Sequence, residues 1–218
     1  MTEMPQQPEK PSRGEARRQA ILEAAMELFL EQGFERTSLS DILRRSKGSR
    51  STLYDAFGNK EGLLLAMVQE ACHRVWSTVD PGDDRSDGPG LQATAEGLTA
   101  FGLHFLKTVT GQRSISVYRI MVAEGHRFPE IARQFYGEGP KLLTDRLTAV
   151  FLRGQADGLL IDGDARRLAQ IFIGTLVSDF HIRRTLGLVP VIADEDMETH
   201  VRAAVGVFLN GAGKQSGG

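Results

Sequence analysis

The sequence predicts an all-α protein of about nine helices, a small N-terminal three-helix unit followed by a larger helical body. Two observations carry this. Apolar residues recur at helical spacing in almost every segment, and no sustained two-residue alternation of the kind a half-buried strand shows is present. Between the apolar stretches stand short clusters of Gly, Ser, Asn and Pro, which end one helix and start the next.

Each element has its own signal. Ile21, Ala25, Leu28 and Phe29 share one face of a helix over 13–32. Gly33 suits the position after that helix, where positive φ is needed, and Phe34 is expected to fold back onto Phe29. Ser38, with Asp41 three residues on, makes a near capping box for a short helix ending about Arg45. Ser46-Lys47-Gly48-Ser49 breaks it, and Ser49 caps a third helix over 50–57. Gly58-Asn59 stops that one, and Asn59 caps a long fourth helix from Lys60 to about Val79. Residues 80–90 hold turn formers and acids with nothing apolar, a loop by composition. Helices resume over 91–109 and 113–124. Another begins at Pro129, a residue suited to a first helical turn, and runs to about Asp157. Its GEGP at 137–140 is expected to break or kink it. Asp162 or Asp164 caps a helix to about Leu186, Pro190 blocks its continuation, and a last helix covers 194–210. Residues 1–12 and 211–218 are expected to be a disordered arm and tail, which leaves domains at 13–60 and 61–210.

Charge narrows the function classes. The net charge of −2 excludes a general polycation. Residues 36–60, however, hold Arg36, Arg44, Arg45, Lys47, Arg50 and Lys60 against Asp41 and Asp55, a local +4, so the remainder carries −6. That is a basic face on an acidic body. The single cysteine, Cys72, forms no internal disulfide and points to a reducing compartment. No run of about 18 apolar residues suggests a membrane span. The N-terminal residues lack a signal peptide's apolar core, so a cytoplasmic protein with no membrane partner is expected.

Helices of about eight residues are marginal in water, because nucleation is costly and few bonds repay it. Leu39, Ile42, Leu43, Leu53 and Phe57 allow the two short helices to pack on the first. Two short helices joined by a four-residue turn and buttressed by a longer one form a helix-turn-helix pattern, whose second helix enters the major groove N-terminus first. On that helix Arg50 can contact guanine or a phosphate, Ser51 and Thr52 are short enough for close approach to bases, and the Tyr54 hydroxyl can reach a phosphate oxygen. Ser38 and Lys60 begin helices, where N-termini favour phosphate. Arg45, Lys47 and Ser49 complete the DNA-facing set, and Arg13, Arg17 and Arg18 extend its charge. Asp55 can accept from cytosine N4 or orient Arg50 or Arg45, and the residues leave that choice open.

The segments TSLSDI and STLYDAFGNKEGL resemble the signature of the TetR/AcrR transcriptional regulators. The resemblance implies phosphate contacts by Thr52, Tyr54 and Lys60, and places Arg50, Ser51 and Asp55 near bases. It also implies a homodimer on a palindromic DNA operator, released by a small apolar or amphipathic effector, most commonly as a repressor. The turn departs from the family's usual Ala-Gly-Val-Ser. Here it reads Ser-Lys-Gly-Ser, so either Lys47 or Gly48 takes the left-handed position. The segment YRIMVAEGHRFPEIARQFYGEGP resembles the C-terminal domain of the AefR-like subgroup.

In the larger half, Trp76, Phe101, His104, Phe105, Tyr118, Met121, Val122, Phe135 and Phe172 are the candidate effector contacts. Several carry polar ends that a sealed core would have to satisfy. For the dimer, Met197, Val201, Ala204, Val205 and Phe208 repeat as one packing face of the last helix. Ile171, Thr175 and Ser178 on the preceding helix join them in an expected four-helix bundle. Against these stand an enzyme and an architectural DNA-binding protein without ligand control. The chain has no Gly-rich phosphate loop and no nucleophile motif, Cys72 lies mid-helix, and the five histidines form no i, i+4 pair. No catalytic residue, metal or cofactor is expected. An architectural role would need a broad basic surface, which the acidic remainder opposes.

Overall fold

The computed structural model describes residues 12–79 and 91–212, without the side chains of 76–79 and 212. Within it every element is helical. The helices are α1 (Arg13–Gln32), α2 (Leu39–Ser46), α3 (Arg50–Phe57), α4 (Lys60–Val79), α5 (Ala95–Val109), α6 (Gln112–Glu124), α7 (Pro129–Tyr136), α8 (Leu142–Ala156), α9 (Ala165–Leu186) and α10 (Asp194–Ala212). A π-helical segment, Gly137–Lys141, joins α7 to α8 without interruption. The expected arm, the 80–90 loop, the tail beyond Ala212 and the Trp76 side chain lie outside the described residues. Two compact units divide at Met67 and Val68, inside α4. No helix is long and apolar enough to cross a membrane among the described residues.

The N-terminal unit is built on α1. Ser12 caps its start by accepting from Glu15 N, and Gly33 ends it at φ 85°. Phe34 then turns back so that its ring centroid lies 4.9 Å from that of Phe29. Thr37 is buried in the corner, where its hydroxyl donates to the Gly33 and Leu28 carbonyls at 2.8 and 3.3 Å. Helix α2 starts with a complete capping box: Asp41 N donates to Ser38 Oγ, and the Asp41 carboxylate accepts from Ser38 N. Asp41 is held below the usual carboxylate range, first by the Ser38 hydroxyl and then by the Ser38 amide and Arg44. Ile42, Leu53 and Phe57 are buried and fix the two eight-residue helices in place.

The turn between α2 and α3 resolves the Lys47/Gly48 alternative. Lys47 adopts the left-handed conformation, φ 53° and ψ 27°, at a cost of about 1 kcal/mol. Gly48 serves a different need. A Cβ there would lie 3.0 Å from Ile21 Cγ1 and 3.0 Å from Ser46 Oγ, so the glycine lets the turn sit close on α1.

The second unit has a core of phenylalanines. Phe172 lies 5.9 Å from Phe151 and 4.9 Å from Phe208 between ring centroids, and Phe151 lies 5.3 Å from Phe208. These rings come from α8, α9 and α10. Thr94 caps α5, so that helix begins later than the expected residue 91. Asp164, the second of the two candidates, caps α9 by accepting from Arg167 N at 3.0 Å. Inside α9, Ser178 leaves the helical region at φ 21°, ψ −129°, and His200 Nε2 donates to the Thr175 and Leu176 carbonyls just before that break. Both neighbours of the ring nitrogen are acceptors, so the proton sits on Nε2.

Arg184 is 6% exposed and meets no carboxylate among the described residues. It donates instead to the carbonyls of Thr110, Val189 and Pro190 and to Gln112 Oε1. This ties the end of α9 to the α5–α6 corner. Gly187 closes α9 in the left-handed conformation, and Pro190 follows as expected.

The segment expected to break or kink at GEGP runs on without a break, through the π turn. Pro140 has no N–H, and its ring would strike the carbonyl four residues back in a regular helix. The wider π turn accommodates both facts and keeps α7 and α8 continuous.

Phe172 was a candidate effector contact and Phe101 another, but both belong to the packed core. Phe172→Ala is expected to lower stability by about 3–5 kcal/mol in chemical denaturation. A residue that merely lined a ligand site would leave the midpoint unchanged.

Candidate nucleic-acid interface and ligand cavity

Helix α3 presents a free face. Leu53 and Phe57 point inward, while Arg50, Ser51, Tyr54 and Asp55 are exposed, Tyr54 by 55%. Among the described residues the Arg50 guanidinium and the Asp55 carboxylate make no ion pair, so Asp55 does not orient Arg50 or Arg45. Ser49 caps the helix by accepting from Thr52 N at 3.1 Å. Its hydroxyl also lies 3.0 Å from Ser51 Oγ and 2.8 Å from Thr52 Oγ1. Lys47 is exposed at the turn just before.

Three residues of the expected DNA-facing set are turned elsewhere. Lys60 Nζ donates to the carbonyls of Phe34, Glu35 and Thr37 at 2.8, 3.3 and 3.1 Å. It also stands 4.4 Å from the Phe34 ring centroid. All three ammonium donors are thereby engaged on the α1–α2 corner, and the expected phosphate contact is corrected to a structural clamp. Arg45 Nη1 lies 2.7 Å from Glu31 Oε1 and 3.5 Å from Glu27 Oε2, so α1 draws its charge inward. The Ser38 hydroxyl donates to the Asp41 carboxylate at 2.6 Å. Arg18, on α1, stacks 5.3 Å over the Phe57 ring.

A cavity of about 430 Å³ lies in the second unit. Its walls come from the later part of α4, from α5 and α6, from the α7–π–α8 stretch and from α9. Of the expected contacts, Phe105, Tyr118 and Phe135 line it. Tyr118 sets its ring 6.5 Å from Phe135 and 4.5 Å, edge to face, from His181. Trp76 lies outside the described side chains, and the remaining five are corrected. Phe101 and Phe172 pack in the core, and Met121 is buried away from the cavity. His104 is exposed on α5 and Val122 is 65% exposed on α6, because each falls on its helix's solvent face.

The polar wall residues missed by the sequence reading are Cys72, Ser114, Thr144, Gln170 and His181. The signal for His181 was available, a histidine on the α9 face that also carries Gly174 and Val177, but nothing in the sequence showed which face is hollow. Burial lowers the His181 pKa and keeps the imidazole neutral near pH 7. Burial, aided by the Glu138 carboxylate, pushes the Cys72 thiol up to about 11. Its Sγ faces the Phe135 carbonyl at 3.9 Å. No group of three or more metal-ligating side chains gathers among the described residues.

The expected dimer face is also corrected in part. Val201, Ala204, Val205 and Phe208 are buried within their own protomer against α5, α8 and α9. Ile171 is 52% exposed, Ser178 is exposed and Thr175 is half-buried. On α10 the outward neighbours are Ala203, Gly206 and Val207, the last 71% exposed.

Comparison with known proteins places this geometry. Residues 21–67 match the bacterial regulatory proteins of the tetR family, and residues 96–211 match the C-terminal domain of AefR-like transcriptional repressors. The chain belongs to the TetR family. Its helix-turn-helix is therefore the DNA-binding part of a transcriptional regulator, and the family's members are regulators rather than enzymes. The HTH-type transcriptional regulator YezE of Bacillus subtilis (strain 168) is 27% identical over 192 residues, covering 86% of this chain and 94% of that protein. A crystal structure of a TetR-family regulator from Pseudomonas syringae pv. tomato str. DC3000 superposes with a TM-score of 0.71 at 22% identity, covering 92% of this chain and 98% of that one. The flavonoid-responsive regulator FrrA superposes with a TM-score of 0.69 at 26% identity, covering 92% and 98%.

Lys60→Met tests the clamp. Three carbonyls would lose a charged donor, and a hydrogen bond to a charged group contributes about 1.5–3 kcal/mol. The melting temperature of the free protein is expected to fall clearly, whereas Arg50→Ala is expected to leave it unchanged. An unaltered melting temperature in Lys60→Met would return Lys60 to the phosphate role.

Proposed function

We propose that this TetR-family regulator is a repressor that binds a palindromic operator as a homodimer and leaves it when a small molecule fills the cavity. Helix α4 is the observation that carries the reading. It begins at the Lys60 clamp on the α1–α2 corner and, further along the same helix, supplies Cys72 and Val75 to the cavity wall. A ligand that favours one placement of α4 over another would bias where the reading helix stands. A coupling of about 1–3 kcal/mol changes operator affinity roughly 5- to 150-fold. The description of FrrA as flavonoid-responsive supports a small-molecule signal, and the AefR-like repressor match supports repression.

In this reading Arg50, Ser51 and Asp55 face base edges, while Thr52, Tyr54, Lys47 and Ser49 approach phosphates. The exposure of these side chains and the absence of an internal partner for Arg50 among the described residues support it. Two-fold symmetry would set two α3 helices one DNA turn apart, about 34–36 Å. The outward faces of α9 and α10, with Ile171, Ile182, Ala203 and Val207, supply the apolar surface such a dimer needs.

Selection of bound duplexes from a random pool tests the whole reading. A palindrome is expected, with affinity falling log-linearly with salt. Recovery of no symmetric site would reject it. Arg50→Ala is expected to lose about 1–3 kcal/mol of preference at one base pair per half-site while still binding random duplex. Val207→Glu is expected to yield a folded monomer in sedimentation, since it places a charge on the proposed two-fold face. A dimer that survived this change would move the interface elsewhere.

A further inference from the structure

We infer that the second-unit cavity takes an uncharged, largely apolar ring compound bearing a hydroxyl group, which Tyr118 and His181 hold, and that it discriminates against carboxylates and ammonium ions. The inference deepens the effector reading and rests on that cavity being the sensing site.

Among the described residues the walls contain no Asp, Glu, Lys or Arg. An ion entering would give up its hydration and meet no opposite charge. The imidazole of His181 supplies none either, since burial disfavours its protonated form. Just behind the wall, Glu138 is engaged by Gln134 Nε2 at 2.7 Å and is felt at Cys72. The apolar part of a ligand would meet Phe105, Phe135 and the Tyr118 ring, surfaces suited to edge-to-face contact with another ring.

The polar handles are unspent. Among the described residues the Tyr118 hydroxyl, the His181 ring nitrogens, the Gln170 amide and the Ser114 hydroxyl make no hydrogen bond within the chain. Tyr118 and His181 stand 4.5 Å apart at 84°, so their polar ends serve one neighbourhood. A neutral imidazole offers one donor and one acceptor, and a phenol offers the same. A ligand hydroxyl can donate to one of them and accept from the other. A carboxylate accepts only, so it uses neither acceptor and brings a charge that no wall residue among those described neutralises. Cys72, kept protonated near pH 7, is an apolar patch of wall and at most a slow nucleophile.

The test uses the full chain without DNA and three probes of one shape: naphthol, naphthoate and naphthylmethylammonium. Calorimetric titration is expected to show naphthol binding at least about tenfold more tightly than either ion, the scale that one well-made hydrogen bond and avoided desolvation support. Naphthol should also slow modification of the single cysteine, Cys72, by a neutral thiol reagent, which locates it in the cavity. His181→Phe keeps an aromatic ring and removes the handle. It is expected to weaken naphthol by about tenfold while the melting temperature holds. Tyr118→Phe gives a second, gentler variant should the first lose stability. Equal or tighter binding of naphthoate, no binding of any probe, or naphthol bound with Cys72 unprotected overturns the inference. The readout involves no operator, so naphthol bound selectively but without effect on DNA affinity would reject the sensing mechanism and leave the cavity's chemistry standing.

Discussion

The ammonium group of Lys60 holds the carbonyls of Phe34, Glu35 and Thr37, and the N-terminal unit depends on that contact. The chain reverses between α1 and α2 in a corner that buries Phe34 and Thr37. Carbonyls in such a corner have left helical bonding, and each left unmet would cost about 1–3 kcal/mol. A lysine suits the task because it brings three donors on a thin stem, and its ammonium stands over the Phe34 ring. With the corner fixed, α2 and α3 gain a support that their own length cannot give. The Thr37 hydroxyl works on the inner side of the same corner, and the Ser38–Asp41 box on its far side. The outward face of α3 is the residue of this arrangement, the surface left after Arg18, Arg36, Arg44, Arg45 and Lys60 have found something within the protein.

The second unit treats polarity differently. Arg184 is buried but satisfied by neutral oxygens, so its charge is solvated by carbonyl dipoles and not cancelled by an acid. His200 likewise spends its N–H on two carbonyls beside the break at Ser178. Around the cavity the pattern inverts. There, among the described residues, Tyr118, His181, Gln170 and Ser114 are spared internal partners, and no formal charge stands on the wall. A core that satisfies its cations so fully and leaves a phenol and an imidazole idle is organised for something that arrives later.

Much of this was legible in the residues. Helix ends followed cap chemistry, as at Ser49, Asn59 and Asp164, because a cap is a local interaction between neighbours in sequence. The return of Phe34 onto Phe29 and the open face of α3 were legible for the same reason. Lys60 was not. Its partners lie more than twenty residues away, and a lysine at a helix start looks the same whether it faces phosphate or carbonyls. The α10 stripe of Val201, Val205 and Phe208 was read as a contact with a second copy. Periodicity shows that a face is buried but does not say by what, and here the cover is the chain's own α5, α8 and α9. For the cavity the difficulty is geometric: Phe105 and Phe101 are one turn apart on α5, yet a hollow lies beside one and packed rings beside the other.

The π turn at Gly137–Lys141 has a consequence for how readily the cavity could vanish. Such a turn fits more residues into a helical revolution than its neighbours do. Excising one residue would let the turn relax into ordinary pitch. Everything beyond would then swing about 100° around the axis. Gly139 and Pro140 would rotate off the wall, and α8 would offer the hollow a different row of side chains. Chain length in this one revolution, as well as the identity of the wall residues, therefore sets the shape of the hollow.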